Sequence, residues 1–313
     1  MSALRGRLRS PPEVLVGDPR GDDRRSCSTH SQIKHRSESM STSIKSYVVS
    51  TSHGDIAVDE AGEGRTALLF THGNSSCRKI FRHQMTGPLS GTCRLIAFDL
   101  PGHGESADAI DPHRTYTRPG FADSAIELLQ TMGIRDVIVL GWSLGGHIAI
   151  EMTARFEGIR GLAITGTPAI GHGEAALGFQ RSGAVALGRK THLSESEVMD
   201  FARGMTGEPV EPFLVEAIAR ADGNARDILF KARDVGAGID QRRAVESRPI
   251  PIAVINGADD AFINLDFVDQ IAYANLWSGR CHRLPGHGHA AFWSGAHLFN
   301  PLLERFVQDV VKA

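Results

Sequence analysis

Hydrophobic residues from residue 46 onward fall into short runs that are separated by longer amphipathic stretches. An opening pair of β-like segments, Tyr47–Ser50 and Asp55–Asp59, flanks a turn at His53-Gly54 and predicts a hairpin. Five later runs lack the polar alternation of half-exposed strands, which is typical of strands buried on both faces. They are Ala67–Thr71, Arg94–Phe98, Asp136–Leu140, Gly161–Thr165 and Pro251–Ile255. Helical patterns cover 79–88, 119–132, 144–157, 265–274 and 296–312. The alternation predicts an α/β fold with a mostly parallel sheet flanked by helices.

Residues 169–248 interrupt this alternation. The interval contains three helical patterns and no strand-like run; the patterns are Ser194–Met205, Val210–Arg220 and Ala225–Ala232. We therefore predict an inserted helical cap of residues 169–248 between two core segments, 46–168 and 249–313. A cap that follows a parallel strand lies over the carboxyl edge of the sheet, where ligands bind in open α/β sheets. A helical embellishment without a ligand role is the alternative.

Composition places the chain among ordinary globular proteins. Of its 313 residues 41% are hydrophobic and 22% are charged, and the formal net charge is −2. No apolar run reaches the ~18 residues that a membrane span needs. With charges nearly balanced, we expect no nucleic-acid partner and no membrane partner. The oligomeric state is left open.

The charge balance conceals two unlike pieces. Residues 1–45 carry nine basic and five acidic side chains and a net charge of +4, whereas the remainder carries −6. The basic piece has no apolar stretch of a secretory signal, and its composition predicts a disordered leader. Because Met40 opens a Ser-Thr run just before the first strand, we expect the functional protein to start there. N-terminal sequencing of the native protein tests this expectation.

Four scattered cysteines form neither a disulfide framework nor a metal-binding knuckle; they are Cys27, Cys77, Cys93 and Cys281. We expect a reducing compartment, the cytoplasm.

The sequence Gly-Trp-Ser-Leu-Gly at residues 141–145 is the strongest chemical signal. It follows the apolar run Asp136–Leu140 and precedes a helical pattern. In this context, small residues two positions either side of a serine permit a sharp strand-to-helix turn that exposes the serine hydroxyl. The motif predicts Ser143 as a nucleophile.

A serine nucleophile needs a histidine base and a carboxylate that orients it, and in this architecture they follow the serine in the order acid, then histidine. Asp259 and Asp260 come directly after the strand Pro251–Ile255, and His287 and His289 follow another short apolar run. Consecutive residues point in different directions, so each pair has alternatives. We favour Asp260, three residues after the turn glycine, and His289, which directly precedes a segment that can pack and fix its ring.

Acyl transfer also requires donors for the developing oxyanion. The backbone N–H of Leu144, which follows the nucleophile, is one donor. We assign the second to the N–H of Asn74, in the loop after Ala67–Thr71, where Gly73 lets the backbone turn toward the site.

Other chemistries lack their signatures. The histidines at 287 and 289 are followed by Ala290-Ala291 rather than by the Asp-His that a two-metal lactonase requires. Neither a dinucleotide-binding nor a phosphate-binding glycine motif is present. We expect no metal and no cofactor.

Several of these motifs together resemble the α/β-hydrolase superfamily and, within it, the serine-dependent N-acyl-homoserine lactonases. The resemblance rests on HGNSS at 72–76, DLPGHGES at 99–106, GWSLGGH at 141–147, ITGTP at 164–168, Asp259-Asp260 followed by Phe262, LDFV at 265–268 and GHAAF at 288–292. It implies an α/β-hydrolase fold, metal-independent catalysis and the same roles for Ser143, His289, Asp260, Asn74 and Leu144. Those lactonases carry Glu at the position of Asp260, and the shorter side chain keeps Asp259 open as the acid.

The resemblance implies a hydrolase that opens acyl homoserine lactones through an acyl-enzyme and so quenches quorum signals. The acyl chain would lie against Trp142 and the cap residues Phe179, Phe201 and Met205. The alternative is that these apolar residues form the hydrophobic core of the cap. A carboxylesterase or carbon–carbon-bond hydrolase of the same fold is the alternative. A non-catalytic small-ligand receptor is another, and it predicts that Ser143→Ala keeps the biological output.

Overall fold

A computed structural model of the protein describes residues 43–313. The expectations for the N-terminal leader and for a start at Met40 concern residues 1–42 and lie outside the described part. Lys45, the last residue of the expected leader, is the first residue of the first strand. No helix of the described part is long and apolar enough to cross a membrane.

Within residues 43–313, eight strands form one sheet in the order β1-β2-β4-β3-β5-β6-β7-β8. Strands β1 and β2 form the predicted hairpin, and β2 joins β4 antiparallel; the other neighbours pair in parallel. The strands are β1 (Lys45–Thr51), β2 (Gly54–Ala61), β3 (Thr66–Thr71), β4 (Cys93–Phe98), β5 (Val137–Trp142), β6 (Ile159–Thr165), β7 (Ile252–Gly257) and β8 (His282–Leu284). The mostly parallel sheet with flanking helices confirms the predicted fold class.

The central strands are buried along nearly their whole length because helices cover both faces of the sheet. All six residues of β5 are buried, and so are all six of β7. Helices of the core are α1 (Arg82–Met85), α2 (Pro112–Thr115), α3 (Arg118–Thr131), α4 (Leu144–Met152), α11 (Leu265–Asp269), α12 (Ala291–Ser294) and α13 (Ala296–Lys312). Burial without alternation explains why these strands are continuous apolar runs in the sequence.

Between β6 and β7 the chain is helical. The helices are α5 (Ala175–Gly178), α6 (Gly183–Leu187), α7 (Glu195–Thr206), α8 (Pro212–Arg220), α9 (Gly223–Asp234) and α10 (Gln241–Ser247). Helix α7 begins with a capping box, in which the Ser194 hydroxyl accepts from the Glu197 N–H and the Glu197 carboxylate accepts from the Ser194 N–H. The hydrophobic periodicity of the sequence predicted α7, α8 and α9. It did not predict α5, α6 and α10, which have only four to seven residues each.

Three predicted helices are shorter than their patterns, and the pattern 265–274 forms a helix only as α11, Leu265–Asp269. The stretch 79–88 is split into α1 and two 3-10 turns, Arg78–Phe81 and Pro88–Gly91. Pro88 accounts for the second boundary, because proline disfavours the helical conformation at the residue before it. The pattern 144–157 ends as helix at Met152. There the Thr153 hydroxyl donates to the Ile150 carbonyl, at the turn that leads to β6.

Candidate active site

Ser143 lies on a strained turn between β5 and α4. Its backbone has φ 54° and ψ −117°, a conformation that non-glycine residues rarely adopt and that costs on the order of 1–3 kcal/mol. Two hydrogen bonds hold the turn: the Ser143 N–H donates to the Thr165 carbonyl (3.0 Å), and the Thr167 hydroxyl donates to the Ser143 carbonyl (2.9 Å). The turn places a partly exposed serine hydroxyl at the carboxyl edge of the sheet.

The glycines around Ser143 are required by close backbone contacts. A Cβ on Gly145 would lie 1.9 Å from the Thr71 carbonyl oxygen, and a Cβ on Gly146 would lie 2.1 Å from the Thr167 hydroxyl. Neither distance admits a side chain, so the tight turn depends on both residues lacking one. A Cβ on Gly141 would likewise lie 2.4 Å from the Gly145 carbonyl oxygen, so both glycines of the motif at residues 141–145 are required by the turn.

His289 and Asp260 form a buried pair in the loops that follow β8 and β7. The Asp260 Oδ2 lies 2.8 Å from His289 Nδ1, and neither side chain is more than 3% exposed. The other carboxylate oxygen accepts from the backbone N–H groups of Phe262 (2.8 Å) and Ile263 (3.2 Å). A carboxylate accepts only, so Nδ1 carries the proton and Nε2 is left as the proton acceptor.

Three neighbouring residues pack closely around His289. The Trp142 indole N–H donates to the His289 carbonyl (3.0 Å), and the Phe262 ring stacks on the imidazole with centroids 4.3 Å apart. A Cβ on Gly166 would come within 2.7 Å of the imidazole Cε1. The ring is therefore closely packed, and its Nδ1 is held by the Asp260 carboxylate.

The competing residues of the sequence analysis lie elsewhere. Asp259 is exposed, and its backbone N–H donates to the His287 carbonyl (3.0 Å). The His287 ring contacts the Ser294 hydroxyl through Nδ1 (3.1 Å). The pair that the structure brings together is therefore Asp260 with His289.

Two backbone N–H groups near Ser143 are unpaired. Within residues 43–313, neither the Leu144 N–H, at the start of α4, nor the Asn74 N–H has a hydrogen-bond partner. First-turn N–H groups of a helix have no partner in the helix and, with its dipole, favour an anion. Both residues line the same cavity as Ser143.

A buried arginine that the sequence analysis missed supports the loop of Asn74. The Arg226 guanidinium, 3% exposed, donates to the Ser75 hydroxyl (2.8 Å) and to the carbonyls of Lys190 (2.6 Å) and Thr191. The Asn74 side-chain amide also reaches this segment, donating to the Gly188 carbonyl (2.9 Å). Burial lowers the pKa of Arg226. The arginine thus connects the loop of residues 73–76 to residues 188–191, which lie between α6 and α7.

Asn74, Leu144 and the residues named next line one cavity of about 360 Å³. Ser143 and His289 both line it, although within residues 43–313 no hydrogen bond joins the Ser143 hydroxyl to His289; such contacts commonly tighten when substrate binds. All four residues expected to contact the acyl chain line this cavity; they are Trp142, Phe179, Phe201 and Met205, and Trp142 is fully buried from solvent. Polar residues that the sequence analysis did not identify also line the cavity, and they are Arg118, His147, Gln180, Arg181, Arg189 and Arg233.

Residues 178–180, before α6, pair through backbone hydrogen bonds with residues 262–264, which follow Asp260. Phe179 forms an antiparallel bridge with Ile263, the Gln180 N–H donates to the Phe262 carbonyl (2.7 Å), and the Asn264 N–H donates to the Gly178 carbonyl (2.9 Å). Phe262 and Ile263 are the residues whose N–H groups hold the Asp260 carboxylate. The wall of the cavity and the acid are therefore built on one short stretch of paired backbone.

No group of three or more His, Cys, Asp or Glu side chains in the described part of the chain is arranged to hold a metal ion.

Comparison with known proteins identifies the family. The profile of the alpha/beta hydrolase family matches residues 68–301. Among curated proteins, an AB hydrolase superfamily protein, YisY of Bacillus subtilis, is 24% identical over 83% of this chain and 98% of its own length. The pimeloyl-[acyl-carrier protein] methyl ester esterase of Neisseria meningitidis is 24% identical over 78% of this chain and 77% of its own.

Solved structures of the N-acyl homoserine lactonase AidH are more similar. One, a complex with N-butanoyl homoserine, has a TM-score of 0.84 and 45% identity, and covers 86% of this chain and 98% of the other. Another is a serine-to-glycine variant in complex with N-hexanoyl homoserine lactone, at the same identity and TM-score. The fold, the serine turn and these matches agree: the chain belongs to the alpha/beta hydrolase family.

Proposed function

We propose that the protein is a serine hydrolase that opens the lactone ring of N-acyl homoserine lactones through an acyl-enzyme. The observation that carries this proposal is that one cavity is lined by Ser143, by His289, whose Nδ1 is held by Asp260, and by the two residues with unpaired N–H groups. The AidH structures support the choice of substrate, since they contain an acyl homoserine, and in the serine variant the intact lactone.

The first half of the reaction forms an ester on the serine. Ser143 Oγ attacks the lactone carbonyl carbon while His289 Nε2 takes its proton, and Asp260 stabilises the imidazolium. The oxyanion accepts hydrogen bonds from the N–H groups of Asn74 and Leu144. When the intermediate collapses, the bond to the ring oxygen breaks, and His289 returns the proton to that oxygen as a hydroxyl.

The second half requires a well-placed water. The released hydroxyl stays tethered to the acyl group, and its high effective concentration favours closing the ring again. Water attacks the ester carbon as His289 Nε2 accepts its proton. The acyl-enzyme bond then breaks, and Ser143 regains the proton as N-acyl homoserine leaves. We propose that residues 169–248 act as a cap that encloses the acyl chain against Phe179, Phe201 and Met205.

A carboxylesterase acting on simple acyl esters is the second candidate. The Neisseria meningitidis relative is a methyl ester esterase, and the same catalytic groups would serve both reactions. The two candidates differ only in what the cavity accepts.

The test is incubation of the purified protein with N-hexanoyl homoserine lactone and identification of products by mass. Ring-opened N-hexanoyl homoserine supports the lactonase, whereas hydrolysis of p-nitrophenyl hexanoate without ring opening supports the esterase. Free homoserine lactone would mean amide cleavage and would refute both.

Variants tie the activity to the site. Ser143→Ala and His289→Ala should abolish ring opening, and the matched control His287→Ala should retain it because that ring contacts Ser294 instead. A chelator should leave the rate unchanged.

A further inference from the structure

A second pair of polar side chains faces the cavity one helical turn from the nucleophile. His147 lies on α4, four residues after Ser143, and Arg118 is the first residue of α3. Both are more than nine-tenths buried, at 8% and 6% exposure, and both line the same cavity as Ser143. The reaction described above uses neither of them.

The His147 ring is held as a hydrogen-bond acceptor. The Gln241 amide nitrogen donates to the His147 carbonyl (2.9 Å), which fixes the amide oxygen against His147 Nδ1 at 2.6 Å. Nδ1 must therefore carry the proton. Burial, together with the positive charge of Arg118, lowers the pKa of His147 to about 3, so the ring is neutral at pH 7 and Nε2 presents a lone pair.

Arg118 supplies a donor beside that acceptor. Its Nη2 donates to the Ala237 carbonyl (3.0 Å), and its Nε is buried without a partner. Neither Arg118 Nη1 nor His147 Nε2 has a hydrogen-bond partner within residues 43–313, and neither is among the fully enclosed polar atoms. Both remain available to a ligand in the cavity.

We propose that His147 and Arg118 form a subsite for a hydroxyl group on the acyl chain of the substrate. A hydroxyl both donates and accepts, so it satisfies the acceptor on His147 and the donor on Arg118 together; a ketone only accepts, and a methylene does neither. The inference rests on the proposed function for the identity of the chain.

The spacing indicates where on the chain the hydroxyl lies. Ser143 precedes α4, but the His147 N–H donates to its carbonyl (3.2 Å), as across one helical turn. Such a turn separates Cα atoms by about 6 Å. Since three bonds of an extended chain span about 3.5 Å, five bonds span about 6 Å. In an acyl homoserine lactone the third acyl carbon is five bonds from the lactone carbonyl carbon, which makes the 3-hydroxyacyl chain the matching substrate.

The wild-type protein tests this without any substitution. We expect kcat/KM for N-(3-hydroxyhexanoyl) homoserine lactone to exceed that for the N-hexanoyl compound at least tenfold, about 1.4 kcal/mol. It should also exceed that for the 3-oxohexanoyl compound. Values within twofold across the three substrates would overturn the proposal, because the pair would then serve structure alone.

Two substitutions separate recognition from packing. In His147→Asn the amide nitrogen can still donate to Gln241 but nothing replaces Nε2, so the preference for the hydroxylated chain should fall to threefold or less. In His147→Gln the side-chain amide reaches toward the Nε2 position, and part of the preference should return. The exposed control His113→Asn should keep the wild-type preference. An unchanged preference in His147→Asn would refute the assignment to His147.

A second substrate pair makes this outcome independent of lactone opening. In p-nitrophenyl 6-hydroxyhexanoate the hydroxyl-bearing carbon is also five bonds from the reacting carbonyl, and p-nitrophenyl hexanoate lacks the hydroxyl. If lactones are not opened but the hydroxylated ester is preferred, the proposed function fails and the subsite stands. If lactones are opened with no preference in either series, the subsite fails and the function stands.

Discussion

Replacing Asp260 with asparagine tests the catalytic pair most directly. In the wild type its carboxylate accepts from His289 Nδ1 and from two backbone N–H groups. In Asp260→Asn one oxygen can still accept from Phe262 and Ile263, but an NH₂ group now faces Nδ1. Two donors cannot share that contact, so the ring is favoured with its proton on Nε2, where it cannot take the proton of Ser143.

The expected loss is large in rate and small in stability. An orienting carboxylate of this kind contributes about 10⁴-fold to kcat, equivalent to about 5.4 kcal/mol. Alanine would be a poorer probe, since it would leave three buried donors without acceptors at about 1–3 kcal/mol each and endanger the fold. Asparagine keeps the volume and two of the three hydrogen bonds.

The assay is the pre-steady-state and steady-state hydrolysis of p-nitrophenyl hexanoate, with thermal unfolding measured alongside. Asp259→Asn is the matched control, because the Asp259 side chain is exposed, and its kcat should stay within twofold. If Asp259→Asn loses the activity and Asp260→Asn keeps it, the assignment of the acid is wrong.

Three further substitutions probe the surroundings of the site. Gly145→Ala brings a Cβ to 1.9 Å from the Thr71 carbonyl oxygen, so we expect a marked fall in the unfolding temperature and loss of activity. Gly91→Ala is the control and should change neither, because nothing lies within 4 Å of its Cβ. An active, stable Gly145→Ala enzyme would contradict this account of the turn. Arg226→Met removes the hydrogen bond that holds residues 73–76, the proposed source of one oxyanion donor. We expect kcat to fall 10- to 100-fold with KM within threefold, and a lower unfolding temperature with unchanged kcat would show a purely structural role. Because the pKa of His147 is about 3 in the folded protein and about 6.5 in the unfolded chain, the unfolded state binds the extra proton as the pH falls below 6.5. The unfolding free energy of the wild type relative to His147→Asn should therefore drop by about 1.4 kcal/mol per pH unit from pH 6 to 4 in urea titrations, and parallel curves would refute it.

The fold could be predicted from the sequence because its strands are buried on both faces and therefore appear as continuous apolar runs. Ser143 could be predicted for a different reason: its tight turn requires glycines at fixed positions, and those glycines are visible in the sequence. Boundaries were less accurate where side chains decide them, as at Thr153, or where a short helix such as α6 has too few residues for a periodic signal.

Other parts of the site could not be predicted because they depend on contacts between distant residues. Asp260 is favoured in the sequence by its distance from the turn glycine, but Asp259 has the same chemistry, and it is the directions of the two side chains that distinguish them. Arg226 and Ser75 are 151 positions apart, and an arginine in an amphipathic helix is indistinguishable in sequence from one on a solvated face. The same holds for His147, whose acceptor state depends on Gln241, 94 positions away.

The paired backbone between residues 178–180 and 262–264 limits how this enzyme can be re-engineered. Exchanging the helical segment for that of another hydrolase would remove the partners of Phe262, Ile263 and Asn264, and with them the support of the carboxylate that orients His289. Under the proposed function, an exchange that alters substrate range would therefore also alter the catalytic pair. Local opening of this segment should likewise expose the amide protons of both strands to solvent exchange at a common rate, as one cooperative unit.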